Sequence, residues 1–363
     1  MATDWSHFMR LAVRAARKGY GNTGPNPRVG AVVVRGSGVV GTGYHRKVGD
    51  AHAEVMALQN AGPSASGADM VVTLEPCSRH GRTPPCVDSI VAAGIKRVIV
   101  GLQDPNPEEN GRGLARLREA GVEVLVGVEE ELCRGVNEAY LKTITTGLPF
   151  VTLKLAVSVD GRIATGSGDA RWISSSGFGR FVHRLRRDAN AVMVGWGTVL
   201  ADDPSLTVRL ARPRTNPLRV AVSSTLEGFT EKKLFLEQQE HPTLVLTTQR
   251  ASPEILERLA LLGVRTALVP LQGGRLDLKQ ALQRLVQFDV SGVLVEGGGV
   301  LAGSLITHGL VDRLIVAHAP VIVGSRGRPS VDMAGFQRLA DAPRWKREWT
   351  RTLGEDVVES LVP

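Results

Sequence analysis

The chain has 363 residues, of which 43% are hydrophobic and 22% are charged, and its formal net charge is +8. This composition is ordinary for a globular protein, and the length exceeds what one hydrophobic core usually supports, so we expect two domains. The positive charge is scattered and suits either phosphorylated small ligands or a solvated surface, while an aromatic content of only 4% argues against a surface that stacks nucleic-acid bases.

Hydrophobic periodicity predicts alternating helices and strands through the first half of the chain. After a first helix over Phe8–Ala16, further helices are predicted at 52–61, 86–93, 112–120 and 129–146. Strands are predicted at 29–34, 39–44, 70–74, 98–101 and 122–126. This order predicts an α/β fold in which a mostly parallel sheet carries helices on both faces.

Gly147 and Pro149 interrupt this pattern and predict a domain boundary between residues 147 and 148. The second half then repeats the alternation of strands and helices. Strands are predicted at 151–158, 191–195, 218–222, 243–247, 264–268, 291–296 and 312–318. Helices are predicted at 174–188, 252–261, 277–286 and 299–308.

The cysteines are Cys77, Cys86 and Cys133, and their small, odd number argues against a disulfide scaffold and for a reducing compartment. The N-terminus lacks the apolar core of a signal peptide, and no apolar run is long enough to span a bilayer. We therefore expect a cytoplasmic protein without a membrane partner. Cys133 lies on a predicted helix far from the other two and is interpreted as a packed thiol.

Four residues in the first half form a pattern that indicates metal chemistry. His52 and Glu54 open one predicted helix, Cys77 follows a strand and a proline, and Cys86 opens the next helix. One histidine and two cysteines suit a catalytic zinc site, and Glu54 is placed to move a proton between water and a leaving amine. The pattern resembles the H-x-E…P-C-x-x-C signature of zinc nucleobase deaminases, although eight residues separate these cysteines. A chance coincidence of these residues is the alternative.

A second pattern runs from a strand through a glycine turn into a helix at 293–306. Gly297, Gly299 and Ala302 match G-x-G-x-x-A, in which backbone N–H groups at a helix N-terminus approach a diphosphate. Because no acidic residue lies near position 317 to bind a ribose, a Rossmann domain is not expected. A turn that serves packing alone is the alternative.

On these residues the chain resembles the bifunctional riboflavin-biosynthesis deaminase–reductase family. The motifs that carry the resemblance are PNPRVG (25–30), GYH (43–45), HAE (52–54), TLEPCSRHGRTPPC (73–86), QDPNP (103–107), LKLAVSVDGRIAT (153–165), WISS (172–175), VGWGTVLADDPSLTVR (194–209) and VLVEGGGVLAGSLI (293–306). The resemblance implies a cytidine-deaminase-like three-layer domain at residues 1–147 and a dihydrofolate-reductase-like α/β domain at residues 148–363. It is weakest through about 210–290 and at the extreme C-terminus.

The resemblance also implies roles for individual residues. In the first domain, zinc would be bound by His52, Cys77 and Cys86, Glu54 would be the catalytic acid and base, and substrate contacts would come from Asn26, His45, Arg82, Asp104 and Asn106. In the second, NADPH would contact Ala156, Trp172, Thr198, Asp202, Gly298, Gly299, Val300, Leu301, Ala302, Gly303 and Ser304. The substrate would contact Lys154, Ala170, Arg186, Leu206, Arg209 and Glu296. Ala170 stands where family members often carry a serine that contacts substrate.

The reactions implied by the resemblance are the hydrolytic deamination of a phosphoribosylamino diaminopyrimidinone and the NADPH-dependent reduction of its ribosyl group. A homo-oligomer with no nucleic-acid partner is expected on the same ground. One alternative is a nucleic-acid base deaminase of the tRNA-editing type, fused to a domain of other role. The cysteine spacing and the few aromatic residues count against it. The other alternative is a non-catalytic NADPH-binding or scaffold protein, against which the intact set of His52, Glu54, Cys77 and Cys86 counts.

Overall fold

A computed structural model describes residues 3–21, 23–80, 84–170, 173–210 and 216–363. Arg82 and Trp172, which were predicted to contact ligands, lie outside these ranges. The chain divides into two compact units, Met1–Gly147 and Leu148–Pro363. Among the helices in the described ranges, none has both the length and the apolar character that crossing a membrane requires.

In the first unit, five strands of the described residues form one sheet in the order β2-β1-β3-β4-β5. The strands are β1 (Gly30–Arg35), β2 (Gly38–Tyr44), β3 (Asp69–Val72), β4 (Arg97–Val100) and β5 (Glu123–Val126). The helices are α1 (Trp5–Ala16), α2 (Ala53–Ala61), α3 (Cys86–Ala92), α4 (Arg112–Glu119) and α5 (Glu130–Thr146). The expected elements are therefore present, and Gly147, at a φ of 70°, ends α5 where the helical pattern was predicted to stop.

The prediction of a mostly parallel sheet is wrong for this unit. Strand β1 pairs antiparallel with both β2 and β3, and only β3, β4 and β5 run parallel to one another. The reason is local, because only residues 36 and 37 connect β1 to β2, and so short a connection can return the chain only in the antiparallel direction.

Helices cover both faces of this sheet and give it three layers. Alternate residues of the central strands point to opposite faces, so that Val33 packs among the residues of α2, α3 and α4, while Val32 packs among those of α1 and α5. Cys133 of α5 is fully buried in the second of these cores, as expected for a packed thiol.

Helix α2 lies unusually close to strand β2, which has glycine at the points of contact. A Cβ atom at Gly43 would lie 2.1 Å from the carbonyl oxygen of Ala53 and 2.5 Å from the nitrogen of Ala57. Only glycine tolerates such an approach, and the first turn of α2 is thereby held directly against the sheet.

In the second unit, nine strands of the described residues form one sheet in the order β11-β10-β9-β8-β14-β6-β15-β18-β17. The strands of this unit are β6 (Phe150–Ser158), β7 (Arg162–Ala164), β8 (Ala191–Gly195), β9 (Leu218–Val222), β10 (Thr243–Thr247), β11 (Arg265–Leu268), β12 (Leu271–Gln272), β13 (Arg275–Leu276), β14 (Gly292–Glu296), β15 (Arg313–Ala319), β16 (Arg328–Pro329), β17 (Lys346–Leu353) and β18 (Asp356–Val362). The helices are α6 (Ser176–Asp188), α7 (Trp196–Asp202), α8 (Pro253–Leu261), α9 (Leu278–Val286) and α10 (Gly299–Thr307). From β11 to β15 the strands are parallel, and β18 and β17 add an antiparallel edge.

Helices also cover both faces of the second sheet. Residues of α9 and α10 pack on one face around Leu153 and Val293, and residues of α6, α7 and α8 pack on the other around Val194 and Ile315. The carboxyl ends of β6, β8 and β14 therefore meet at one edge of the sheet, the position where open α/β sheets bind ligands.

Candidate active sites

The three candidate metal ligands converge in the first unit. His52 is the N-cap residue of α2, Cys86 is the first residue of α3, and Cys77 lies in the loop after β3. Nδ1 of His52 lies 3.2 Å from Sγ of Cys86 and 3.5 Å from Sγ of Cys77, and the three ligand atoms are all within 4.8 Å of one another. An imidazole and two thiols at this spacing are a suitable donor set for zinc with a fourth position open.

The charges within this cluster also suit a cation. A hydrogen bond from Cys86 lowers the pKa of the Cys77 thiol, and the same contact raises the pKa of Cys86. The hydrogen bond between His52 and Cys77 raises the pKa of the imidazole. The backbone N–H of Cys86, at the start of α3, donates to Sγ of Cys77 at 3.3 Å, which further favours a thiolate there.

Glu54 lies in the first turn of α2 and is only 3% exposed. Burial raises the pKa of its carboxyl group to about 7, and the negative charge of Cys77 adds to the effect. A carboxyl group with this pKa can both accept and donate a proton near neutral pH, which is the requirement for general acid–base catalysis.

The predicted substrate residues of the first unit form two groups. In one, Nδ2 of Asn26 lies 3.3 Å from Nε2 of His45, whose ring meets that of His52 edge-on at a centroid distance of 5.4 Å. Burial lowers the pKa of His45, so the ring is neutral at physiological pH. Asn26 and His45 are thus brought next to the metal-ligand cluster.

The second group contains Asp104 and Asn106. The carboxyl group of Asp104 accepts hydrogen bonds from the backbone N–H of Asn106 at 2.9 Å and from the Tyr140 hydroxyl at 3.0 Å. Burial raises the pKa of Asp104. Sequence reasoning missed Tyr140, because nothing in the sequence indicates that α5 places a hydroxyl over this loop.

The second unit contains a cavity of about 610 Å³ at the carboxyl ends of β6, β8 and β14. The predicted ligand contacts that line it are Lys154, Ala156, Ala170, Thr198, Asp202, Gly298, Gly299, Val300 and Leu301. Arg328 and Asp332, which sequence reasoning missed, also line it. The cavity therefore joins polar and charged groups from segments that are far apart in the sequence.

The glycine turn between β14 and α10 forms one wall of this cavity. Gly297 has a φ of 128°, and the backbone N–H of Gly298 donates to Oγ1 of Thr198 at 3.2 Å. Of the predicted run 298–304, the first four residues line the cavity. The next three lie in the body of α10, where Ala302 and Gly303 are buried, so Ala302, Gly303 and Ser304 are not brought to the cavity wall.

Beside the cavity, an ion pair is built between helix α6 and strand β14. Nε and one terminal nitrogen of Arg186 donate to the two carboxyl oxygens of Glu296 at 2.6 and 3.0 Å. Burial alone raises the pKa of Glu296, but the Arg186 guanidinium outweighs it and the pKa ends below its ordinary value. Glu296 is therefore ionised although it is only 8% exposed.

Lys154 is the neighbour of Glu296 in the register of β6 against β14. Its Nζ lies 5.3 Å from the centre of the Phe178 ring. Burial lowers the pKa of the ammonium group, and the negative charge of Glu296 opposes this effect. A lysine in this setting can release and regain a proton more readily than a lysine at the surface.

The loop after α7 carries the remaining predicted substrate residues. The backbone N–H of Arg209 donates to Nδ1 of His183 at 3.1 Å, and Arg186 donates to the carbonyl oxygen of Thr207 at 3.0 Å. His183 and Arg186 of α6 thus both bind this loop, and the structure brings Arg209 close to Arg186. Leu206 is 2% exposed with its side chain in the core, so only its backbone is available to a ligand.

These folds and sites define a protein with a zinc-binding deaminase domain followed by a reductase domain. The family model described as the cytidine and deoxycytidylate deaminase zinc-binding region matches residues 2–102, and the RibD C-terminal domain matches residues 149–359. The second match excludes the alternative in which the second half has an unrelated role.

The chain is 42% identical to the riboflavin biosynthesis protein RibD of Escherichia coli (strain K12) over 98% of both sequences. It is 43% identical to RibD of Aquifex aeolicus (strain VF5) over 97% of this chain and 96% of the relative. The structure of Acinetobacter baumannii RibD superposes with a TM-score of 0.91 at 36% identity, covering 99% of this chain and 98% of the other.

A second solved structure is that of a diaminohydroxyphosphoribosylaminopyrimidine deaminase/5-amino-6-(5-phosphoribosylamino)uracil reductase from Thermotoga maritima. It superposes with a TM-score of 0.87 at 34% identity, covering 99% of this chain and 98% of the other. The chain therefore belongs to the RibD family, the bifunctional deaminases and reductases of riboflavin biosynthesis. The resemblance, the fold class and the two cofactors expected from the sequence, zinc and NADPH, are confirmed.

Proposed function

We propose that the chain carries out two consecutive reactions on one phosphorylated pyrimidine. In the first, a diaminopyrimidinone that carries a phosphoribosylamino group loses one amino group by hydrolysis. In the second, the ribosyl group of the deaminated product is reduced to a ribityl chain. The observation that carries the proposal is the convergence of His52, Cys77 and Cys86 beside the buried carboxyl group of Glu54.

In the deamination, His52, Cys77 and Cys86 would hold zinc, which when bound lowers the pKa of water to near 7 and so supplies hydroxide. The carboxyl oxygens of Glu54 would take up a proton and deliver it to the leaving amino group, as its pKa of about 7 allows. The pyrimidine would be oriented by polar side chains around this centre. These are Asn26, His45, Asp104 and Asn106, together with Arg82.

In the reduction, NADPH supplies the hydride when it is bound. The glycine turn and the N-terminus of α10 would bind its diphosphate, because N–H groups and the helix dipole favour an anion there. Lys154 would give a proton from Nζ as the ribose ring opens, and ionised Glu296 would keep that ammonium charged. Arg186 and Arg209 would bind the substrate phosphate, since the guanidinium fork matches phosphate oxygens.

The remaining expectations concern partners and location. A phosphorylated small-molecule substrate is compatible with the positive charge, since the basic residues are scattered along the sequence without a long run. The proposal therefore includes no nucleic-acid partner. A cytoplasmic location and self-association into a homo-oligomer complete it, supported by the membership of the RibD family.

The test is incubation with the diaminopyrimidinone ribosyl phosphate, with and without NADPH. Ammonia should be released under both conditions, and NADPH should be consumed only after ammonia appears. The already deaminated compound should consume NADPH without releasing ammonia.

Consumption of NADPH by the diamino compound before any ammonia release would contradict the proposed order. Ammonia release from RNA, with tight RNA binding that weakens steeply with salt, would instead favour the nucleic-acid deaminase. A Cys86→Ser variant controls for the metal site, because it should release no ammonia while still reducing the deaminated compound.

A further inference from the structure

We infer that Glu75 is a positioning residue of the deaminase site, which holds the Cys77 loop and the Asp104 loop in fixed relation to each other. Glu75 lies two residues before Cys77 and is only 5% exposed. Its carboxyl group faces the backbone at the start of α4. The inference rests on the proposed deaminase reaction.

Both carboxyl oxygens of Glu75 accept hydrogen bonds from backbone N–H groups. Oε2 accepts from Asp104 at 3.1 Å and from Gly111 at 3.0 Å. Oε1 accepts from Gly113 at 2.9 Å and from Leu114 at 3.3 Å. These donors belong to the backbone and cannot rotate, so the site demands two acceptor atoms in one side chain.

A second observation independently places the Cys77 loop against the start of α4. A Cβ atom at Gly113 would lie 2.0 Å from the carbonyl oxygen of Pro76, the residue between Glu75 and Cys77. The backbone that carries the metal ligand is therefore in direct contact with the helix, and glycine is required at that contact. The helix N-terminus also favours the negative charge of a carboxylate.

Glu75 links the loop that carries Cys77 to the loop that carries Asp104. Through Oε2, Glu75 fixes the backbone of Asp104, a proposed substrate contact, and through its own chain it fixes Cys77, a proposed zinc ligand. Any shift of the carboxyl group moves these two groups relative to each other. A substrate bound by Asp104 and a zinc ion bound by Cys77 would then lose their alignment. Glu75 would have this effect without itself binding the substrate or the metal.

The test compares Glu75→Gln with the matched variant Glu109→Gln. Glu109 also binds the Cys77 loop, but among the described residues it uses Oε2 alone, which accepts from the backbone N–H and the hydroxyl of Ser78 at 2.9 and 2.8 Å. The amide oxygen of glutamine can replace that single acceptor. At position 75 the amide NH₂ must instead face two N–H donors, so the same chemical change disrupts the contact.

Three properties are measured for each variant: the kcat and KM of deamination, the visible spectrum of the cobalt-substituted enzyme, and NADPH consumption with the already deaminated compound. For Glu75→Gln we expect kcat/KM of deamination to fall by roughly 10–100-fold, the range observed when groups that orient metal ligands are removed. KM should rise as well as kcat fall, and the cobalt–thiolate absorption should shift. NADPH consumption should be unchanged, and Glu109→Gln should match the wild type throughout.

Gly113→Ala is the second variant, because its Cβ atom would lie 2.0 Å from the carbonyl oxygen of Pro76 and 3.2 Å from Oε1 of Glu75, while the carboxylate itself is retained in the sequence. It should give the same selective loss of deamination and the same shift of the cobalt spectrum. Wild-type deamination and an unshifted spectrum in Glu75→Gln or in Gly113→Ala would overturn the role of Glu75. A wild-type enzyme that releases no ammonia would overturn the proposed reaction instead.

Discussion

Burial gives the carboxyl group of Glu54 a pKa of about 7, so that near neutral pH it is divided between its two protonation states. The two oxygens can therefore accept and release a proton without a large free-energy cost in either direction. This property belongs to the carboxyl group, because an amide of the same shape neither gains nor loses a proton at equilibrium in this pH range.

Glu54→Gln should accordingly retain zinc and lose deamination, with a fall in kcat of at least about a hundredfold. Metal content and ammonia release are the measurements. NADPH consumption with the already deaminated compound is the control and should stay at the wild-type level. Normal ammonia release by this variant would contradict the role of Glu54 as the proton carrier.

A second charged group makes a prediction about pH in the reductase unit. The negative charge of Glu296 opposes the fall in the Lys154 pKa that burial causes. Glu296→Gln removes that charge, so the Lys154 pKa should fall further and the protonated form should be lost at lower pH. The alkaline limb of the pH profile for NADPH consumption should therefore move to lower pH, and kcat should fall.

The control for this variant is Glu348→Gln. Glu348 also forms a two-point ion pair, with Arg313 at 3.0 and 3.1 Å, but it has no contact with Lys154 or the cavity among the described residues. Removal of the Glu348 charge should leave the alkaline limb of the pH profile for NADPH consumption unchanged. An unshifted alkaline limb in Glu296→Gln would show that Lys154 does not supply the proton.

Single residues also show how far the sequence leads toward the site. The sequence predicts the metal-site residues, because their order and their positions at the ends of predicted elements can be identified from it. These residues are His52, Glu54, Cys77 and Cys86. Glu75 and Tyr140 could not, because their partners Gly113 and Asp104 lie 38 and 36 residues away in the sequence. Contacts between a side chain and backbone or side-chain groups so far away in the sequence are set by the tertiary fold.

At the scale of elements, the strands buried on both faces were predicted, and so were the exposed edge strands β5 and β11. Strands such as β9 and β10 are mostly apolar and buried at every position, because the parallel sheet is covered on both sides; Arg219 of β9 is the one charged residue among them. The edge strand β17 was missed, because most of its residues are exposed and its sequence shows no apolar alternation. Helix α7 was missed because it follows β8 without a linker, and its N-cap residue Gly195 provides no side-chain cap that would mark a helix start.

The turn between β14 and α10 carries a prediction that belongs to this scale. Gly297 has a φ of 128°, and a Cβ atom there would lie 2.8 Å from Oγ1 of Thr198. Gly297→Ala should therefore displace the turn from the cavity wall at a cost of about 1–3 kcal/mol. We expect the KM for NADPH to rise by roughly tenfold or more, because 1.4 kcal/mol corresponds to a factor of ten.

Gly309→Ala is the matched control, since Gly309 follows the same helix, has a φ of 61°, and has no atom within 4 Å of a Cβ among the described residues. It should lower thermal stability through backbone strain alone and leave the KM for NADPH unchanged. Equal KM values in the two variants would mean that the glycine turn does not bind the cofactor.

At the scale of the whole molecule, the chemistry divides along the boundary between the two units. Within the described residues, His52, Cys77 and Cys86 are the one cluster that could hold a metal ion, and all three lie in Met1–Gly147. The cavity for the reductive reaction is lined entirely by residues after 147. Each reaction therefore has its own set of side chains and its own sheet.

Removal of zinc with a chelator should for this reason separate the two activities. The diamino compound should release no ammonia and consume no NADPH, because the deaminated intermediate is not made. The already deaminated compound should consume NADPH at the untreated rate, and added zinc should restore ammonia release from the diamino compound. If chelation also stopped reduction of the deaminated compound, the metal would be required by both units. The assignment of deamination to residues 1–147 and of reduction to residues 148–363 would then be wrong.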